Sequence, residues 1–151
     1  MDVNSLKLNK IDKAVINARL SGDAICDIRK DELSVLADVA IFKIAAIAGL
    51  SLPTSDKFAD VLNEELLILL TEFGYTDITF EELVLAFRVN YQHYRTNGGH
   101  VYQPIIPYST FFSINYASAV LENYRSIRQI IERKLIEQVG EDMFDKYSNR
   151  I

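Results

Sequence analysis

The chain has 151 residues, 49% hydrophobic and 25% charged, which is typical of a globular domain rather than a disordered or membrane-spanning chain. A single domain over residues 1–151 is therefore expected. The net charge of −5 disfavours tight, nonspecific binding to duplex nucleic acid, and the single cysteine, Cys26, excludes an internal disulfide.

Hydrophobic periodicity predicts three helices in the first half of the chain. The first runs from about Asn9 to Leu20 and ends at a Ser-Gly-Asp turn. The second runs from a cap at Asp31 to Ala48 and is closed by Gly49; it is apolar on most faces, which is typical of a central, buried helix. The third begins at Thr54 or Ser55 and continues through Leu70, with an apolar stripe that starts at Phe58.

The fourth helix has the best-defined start in the sequence. Thr79 and Glu82 have the spacing of a capping box, in which each side chain accepts from the other residue's backbone N–H. This helix is expected to continue to about Arg95 and to stop at Gly98-Gly99.

An extended loop and a long helix complete the predicted architecture. Pro104 and Pro107 forbid a helix in the loop, residues 97–108. A helix of nearly thirty residues is then expected from Ser109 or Thr110 to Val139, with Gly140 as its stop and one further turn possible within residues 141–151. The prediction is an all-α fold, a compact bundle of five to six helices with a long C-terminal helix.

Aromatic and basic residues are concentrated in the second half of the chain. Nine of the sixteen aromatic residues lie between Phe87 and Tyr124, and residues 87–151 carry eight Lys and Arg against six Asp and Glu. Residues 1–86, by contrast, carry eight Lys and Arg against fifteen Asp and Glu. A tyrosine-lined surface bordered by guanidinium groups suits single-stranded nucleic acid or an acidic protein. The predicted binding surface contains Arg88, Tyr91, Tyr94, Arg95, His100, Tyr102, Arg125 and Arg128.

Two simpler interpretations compete with this surface. The aromatic residues of the fourth and last helices can instead pack against each other as the core of an antiparallel pair. The arginines can instead form ion pairs with carboxylates of the acidic first half. Both interpretations place these side chains inside the protein rather than against a ligand.

Motifs for catalysis, metal binding or cofactor binding are absent from the sequence. Gly98-Gly99 lacks the flanking residues of a phosphate-binding loop, and His93 and His100 have no further ligands at metal-binding spacing. Adjacent carboxylates such as Glu81-Glu82 are typical of a helix start, and Cys26 has no activating neighbour in the sequence. No enzyme activity, catalytic residue, cofactor or metal is therefore expected.

The sequence also predicts a cytoplasmic location without membrane contact. The longest apolar stretch, Val35 to Leu52, is interrupted by Asp38 and Lys43 and falls short of the ~18 uninterrupted residues of a membrane span. The first residues lack the basic and apolar regions of a secretory signal.

Two helical segments carry a resemblance to a known group of proteins. Residues 79–90, Thr-Phe-Glu-Glu-Leu-Val-Leu-Ala-Phe-Arg-Val-Asn, and residues 119–125, Ala-Val-Leu-Glu-Asn-Tyr-Arg, resemble two blocks of small, largely uncharacterised proteins of tailed bacteriophages and mobile elements. The resemblance covers about residues 54–128. It implies a replication-accessory role, in the manner of helicase loaders or replisome organisers.

The leading functional expectation is a non-enzymatic phage accessory that binds other proteins at a replication complex. Single-stranded nucleic acid is a second class of ligand, and a homo-oligomer is compatible with the sequence. An alternative is a virion component, such as a helical adaptor or ring subunit of the portal-tail assembly. A further alternative is an inhibitor of a host enzyme or defence system.

Overall fold

The structure, a computed structural model, describes residues 7–90, 94–95 and 101–140, and the side chains of 7–90 and 103–140. Five α-helices account for most of this part of the chain and confirm the predicted all-α bundle. Two two-residue strands, β1 and β2, pair antiparallel. The elements are α1 (Lys10–Arg19), a 3₁₀ turn (Ile25–Asp27), α2 (Lys30–Ala48), α3 (Asp56–Glu72), α4 (Phe80–Asn90), β1 (Tyr94–Arg95), β2 (Val101–Tyr102) and α5 (Ile114–Val139).

α1 begins at a capping box on Asn9. The Asn9 side chain accepts from the backbone N–H of Asp12 at 2.8 Å, and the Asp12 carboxylate accepts from the backbone N–H of Asn9 at 3.1 Å. This exchange satisfies two N–H groups that a helix start leaves without partners. Asp12 is fully buried, so this cap faces the interior of the protein.

α2 begins two residues earlier than a cap at Asp31 would place it. Its N-cap is Arg29, so Asp31 lies within the first turn, where a carboxylate still interacts favourably with the helix dipole. The stop is the predicted one: Gly49 has a φ of 68°, a left-handed conformation that glycine adopts without the strain of a Cβ atom. α3 follows after Ser55 and packs along α2.

α4 begins at the predicted capping box. The backbone N–H of Glu82 donates to Thr79 Oγ1 at 3.1 Å, and the backbone N–H of Thr79 donates to Glu82 Oε1 at 3.2 Å. The Thr79 hydroxyl also donates to the carbonyl of Ala18 at 2.8 Å, which fastens the start of α4 to the last turn of α1. The predicted continuation of the helix to Arg95 is wrong, because Tyr94–Arg95 pairs as a strand with Val101–Tyr102.

The long C-terminal helix starts later than predicted, because the preceding residues pair with the α2–α3 connection. Ser51 donates its backbone N–H to the carbonyl of Thr110 at 2.6 Å, and its carbonyl accepts from the N–H of Phe112 at 3.1 Å. These bonds form a parallel bridge between Ser51 and Phe111. Ser113 then caps α5 by accepting from the backbone N–H of Tyr116, and Gly140 follows its last residue as predicted.

α4 and α5 form the aromatic centre of the core. Phe87 packs on Tyr116 with ring centroids 5.7 Å apart, and both side chains are almost completely buried. Glu82, one end of α4, lies beside Tyr124, further along α5, so the two helices run antiparallel. The predicted antiparallel aromatic pair is therefore confirmed for Phe87, Tyr116 and Tyr124.

Candidate functional site

The structure describes the side chains of three residues of the predicted binding surface, Arg88, Arg125 and Arg128. Arg88 is exposed on α4, whereas Arg95 lies on β1, so the two arginines do not share a helical face. Tyr91 and His100 lie outside the described residues. The structure describes only the backbone of Tyr94, Arg95 and Tyr102.

Arg125 lies on the α5 side of the loop between α3 and α4. Its Nη2 atom donates to the carbonyl of Gly74 at 2.8 Å, and its Nη1 atom lies 3.4 Å from the Glu122 carboxylate. The guanidinium carbon stands 4.4 Å from the centre of the Tyr75 ring, a cation–π distance. Gly74 has a φ of 94°, and a Cβ atom there would lie 3.1 Å from the guanidinium. Arg125 therefore attaches the loop between α3 and α4 to α5.

Arg128 is buried among three carboxylates. Its side chain is only 9% exposed, and it lies 3.3 Å from Asp77, 3.5 Å from Glu82 and 3.7 Å from Glu132. Glu132 also lies 3.4 Å from Arg19 at the end of α1. The guanidinium of Arg128 is thus held by the protein itself, as the intramolecular interpretation of the arginines anticipates.

Glu82 is the most deeply buried acid of this network. It is 0% exposed, and its Oε2 atom accepts from the Tyr124 hydroxyl at 2.8 Å while Oε1 serves the capping box. Burial raises the pKa of Glu82 to about 7, although the hydrogen bonds from Tyr124 and Thr79 and the charge of Arg19 favour the ionised form. Solvent does not reach this carboxyl, so a substrate has no access to it. Its hydrogen bonds instead stabilise the contact between α4 and α5.

Asp12, like Glu82, is a buried capping carboxylate that lies beside a cation of α5. Asp12, which caps α1, accepts from Lys134 Nζ of α5 at 2.9 Å, and both side chains are at least 89% buried. The starts of α1 and α4 are therefore both attached to α5 by a buried acid and a buried base. We call these contacts the α5 seam; its charged members are Asp12, Arg19, Glu82, Arg128, Glu132 and Lys134.

An open cleft of about 290 Å³ lies between α5 and the loop of residues 74–78. Arg125 and Arg128 both line it. Asp77 and Glu132 line the same cleft and neutralise its positive charge. A phosphate entering here would have to displace existing ion pairs.

The opposite character is found on α2, where large apolar side chains face solvent. Val35 is 63% exposed, Val39 38% and Phe42 67%. Their spacing of four and three residues places them on one stripe of the helix. We call this stripe the α2 ridge. α2 packs against both α3 and α4, as expected of a central helix, but nothing in the described residues covers the ridge.

Shallow depressions adjoin the N-terminal end of the α2 ridge. One, of about 330 Å³, is lined by Val35, Leu36, Asp31 and Glu32. Its neighbour, of about 220 Å³, shares Leu36 and Glu32. The other side chains of the neighbour include two apolar and two acidic residues, namely Ile28, Phe80, Asp23 and Glu81. This region is therefore lined by both apolar and acidic side chains.

The remaining sequence candidates offer no reaction centre in the described residues. Cys26 is exposed, and partial burial together with the neighbouring Asp27 carboxylate raises the pKa of its thiol, which lowers the thiolate fraction. Across residues 7–90, 94–95 and 101–140, no group of three or more His, Cys, Asp or Glu side chains is arranged to hold a metal ion. None of the helices described here has both the length and the apolar character needed to cross a membrane.

Comparison with known proteins identifies no relative of this chain. No protein-family model, no curated protein and no solved structure matches the chain.

Sequence reasoning missed both the seam and the ridge. The Asn9-x-x-Asp12 spacing is a weaker form of the Thr79-x-x-Glu82 signal and could have indicated a second capping box. The ridge carried a signal too: Val35, Val39 and Phe42 lie one helical turn apart, as do the buried residues of the same helix. Periodicity alone could not say which of these stripes another helix covers.

Proposed function

We propose that the chain is a non-enzymatic accessory protein that acts by binding other proteins. The supporting observation is the α2 ridge, whose Val35 and Phe42 side chains are each more than 60% exposed on one helical stripe. Burying a side chain of this size contributes roughly 1.5–3 kcal/mol, so covering the ridge would favour association. Exposed apolar residues in a contiguous group are characteristic of protein contacts.

Protein is favoured over nucleic acid because of where the charges lie. Arg125 and Arg128, the two predicted nucleic-acid contacts whose side chains are described on α5, are engaged by Gly74, Asp77, Glu82 and other groups of the chain. α3, next to the ridge, carries five Asp and Glu against one Lys. Phosphates would be repelled from such a surface, whereas a protein partner can supply complementary charge.

A role beside a phage replication complex, in the host-cell cytoplasm, is the setting that we propose for this binding. Its support is the resemblance of residues 79–90 and 119–125 to phage accessory proteins. Both segments lie in α4 and α5, which build the core and the α5 seam. The resemblance therefore concerns the scaffold, and the ridge on α2 would be the part that distinguishes this chain's partner.

Site-directed photo-crosslinking in the native host cell tests the proposal. A benzoylphenylalanine replaces Val39 on the ridge, and a control replaces Glu137, an exposed residue of α5. The proposal expects one defined protein crosslinked at position 39 and not at position 137. Crosslinks to nucleic acid, or no defined protein at either position, would contradict it. A ladder of crosslinked copies of the chain would favour the virion ring instead.

A further inference from the structure

The flanks of the α2 ridge are acidic on the side of α3. Asn63 of α3 donates to the Ser34 carbonyl at 2.9 Å and to Asp38 Oδ1 at 2.6 Å, which fixes the side of α3 that faces α2. Asp60 and Glu64 lie within one turn of Asn63, and both are exposed. Among the described residues, neither makes an ion pair, so their charges are available to a ligand.

Carboxylates also border the ridge on the side of α4. Lys43 of α2 lies 5.7 Å from the ring of Phe80, which brings the start of α4 beside α2. Glu81 follows Phe80, is exposed and lines the depression that also contains Glu32. Glu32 itself is engaged by Arg29 at 2.8 Å, whereas no ion pair of Glu81 occurs within the described part of the chain.

The shape of the ridge matches the side of another helix. Val35, Val39 and Phe42 span roughly 10 Å along α2, which is about two helical turns. Apolar residues spaced by four and three are those through which helices pair. The adjoining depression of about 330 Å³ has Val35 and Leu36 as its apolar residues and can receive an apolar anchor side chain.

We propose that the α2 ridge binds an amphipathic helix of a partner protein, and that lysines and arginines flank the apolar stripe of this helix. This inference rests on the proposed protein-binding function and names its partner chemistry. The apolar stripe covers Val35, Val39 and Phe42, while the basic side chains meet Asp60 and Glu64 on one side and Glu81 on the other. Charge complementarity sets the orientation and the partner choice, and apolar burial supplies most of the affinity.

Charge also argues against the other occupants of the ridge. A second copy docking ridge to ridge would oppose the same carboxylates, Asp60, Glu64 and Glu81, across a symmetric contact. An anionic membrane or a nucleic acid would meet the same repulsion. A basic helix is the occupant for which both the apolar stripe and its acidic borders contribute favourably.

Titration with two synthetic peptides tests the inference. The first probe is a helical peptide of about 18 residues with a leucine stripe flanked by lysines; the second has the same stripe flanked by glutamates. The full chain, labelled with ¹⁵N, should bind the lysine peptide, with the largest amide shifts in residues 31–46 and 56–65. The glutamate peptide should bind at least about tenfold more weakly, and raising the salt concentration should reduce this difference.

Matched variants distinguish peptide binding at the ridge from nonspecific hydrophobic association. Phe42→Ala should weaken binding of the lysine peptide by about tenfold or more. Phe73→Ala should leave binding unchanged, although Phe73 is exposed to the same extent, 65% against 67% for Phe42. The double variant Asp60→Asn, Glu64→Gln should reduce both the affinity and its salt dependence, whereas Glu137→Gln should change neither.

Three outcomes of the peptide titrations would overturn the inference. They are equal binding of the two peptides, shifts centred on the cleft of residues 74–78, and equal effects of Phe42→Ala and Phe73→Ala. A dimer by light scattering that Phe42→Ala converts to a monomer would also overturn it and assign the ridge to self-association.

The crosslinking result separates this inference from the proposed function. A native partner attached at position 39 through an acidic or non-helical segment would overturn the basic helix and leave the protein-binding function standing. Specific binding of the lysine peptide, with no native protein crosslinked at any exposed position, would support the ridge chemistry and contradict the function.

Discussion

The α5 seam and the α2 ridge differ in the burial of their side chains and in the ion pairing of their charged groups. In the seam, Asp12 and Glu82 are completely buried, and each lies beside a cation of α5. On the ridge, Phe42 is 67% exposed, and the nearby carboxylates of Asp60 and Glu64 have no ion pair among the described residues. Charge is paired in the seam, and among the described residues it is left unpaired at Asp60, Glu64 and Glu81 beside the ridge.

This contrast separates stability from recognition. Removing one member of a buried ion pair leaves an uncompensated charge in the interior, so changes in the seam should mainly alter the free energy of unfolding. Exposed side chains contribute little to the folded state, so changes on the ridge should mainly alter binding.

Loss of the Glu82 carboxylate should have the largest effect on stability. Glu82→Ala removes a helix cap, leaves the Tyr124 hydroxyl without its buried acceptor and removes one of the three carboxylates around Arg128. We expect the free energy of unfolding to fall by about 2–4 kcal/mol, because a helix cap is lost and a buried hydroxyl loses its acceptor. Urea denaturation measures it. A loss under about 1 kcal/mol would mean that the carboxylate acts only as an ordinary cap.

Glu82 should also make stability depend on pH. Its pKa is raised from 4.5 to about 7, so the folded protein holds this proton more tightly than the unfolded chain does. The contribution is therefore most favourable below about pH 4.5 and is lost as the pH rises toward 7, by up to about 3 kcal/mol.

Glu82→Gln provides the control for this pH dependence. Glutamine can still serve the capping box but does not titrate. Urea denaturation at about pH 5 and about pH 8 should show a smaller drop in stability for the variant than for the wild type. Equal drops would assign the pH dependence to other groups, such as Glu132, whose pKa burial also raises.

Thr79→Ala should have an intermediate effect. It removes the hydroxyl that accepts from Glu82 and donates to the Ala18 carbonyl, while the Glu82 carboxylate keeps Tyr124 and Arg128. We expect a loss of roughly 0.5–2 kcal/mol in the free energy of unfolding, typical of a cap. A loss as large as that of Glu82→Ala would contradict a special role for the buried carboxylate.

Phe42→Ser should have the smallest effect on stability. Because most of the side chain is already in water, the free energy of unfolding should change by no more than about 0.5 kcal/mol. Phe73→Ser, at nearly the same exposure, provides the comparison. A loss of several kcal/mol for Phe42→Ser alone would place this phenylalanine in the core and remove the basis of the ridge.

Local signals in the sequence predicted much of the fold. Thr79, Glu82 and Gly49 act where the sequence places them, because caps and left-handed stops depend on a few neighbouring atoms. The start of α5 was misplaced because residues 110–112 pair with Ser51, about sixty positions away. Contacts of that range leave no local pattern.

The candidate site was harder to predict than the fold for the same reason. An apolar stripe such as that of Val35 and Phe42 indicates a surface that can pack, but not whether this chain supplies the packing partner. The burial of Glu82 likewise depends on α5, which passes more than forty residues later. Tertiary arrangement decides both properties.

Hydrogen exchange with and without the lysine peptide tests the central contrast most directly. Amide exchange in α2 and in residues 56–65 of α3 should slow when the peptide is bound, while exchange in α5 should not change. Protection confined to α5 and the loop of residues 74–78, with none on α2, would contradict the assignment of recognition to the ridge.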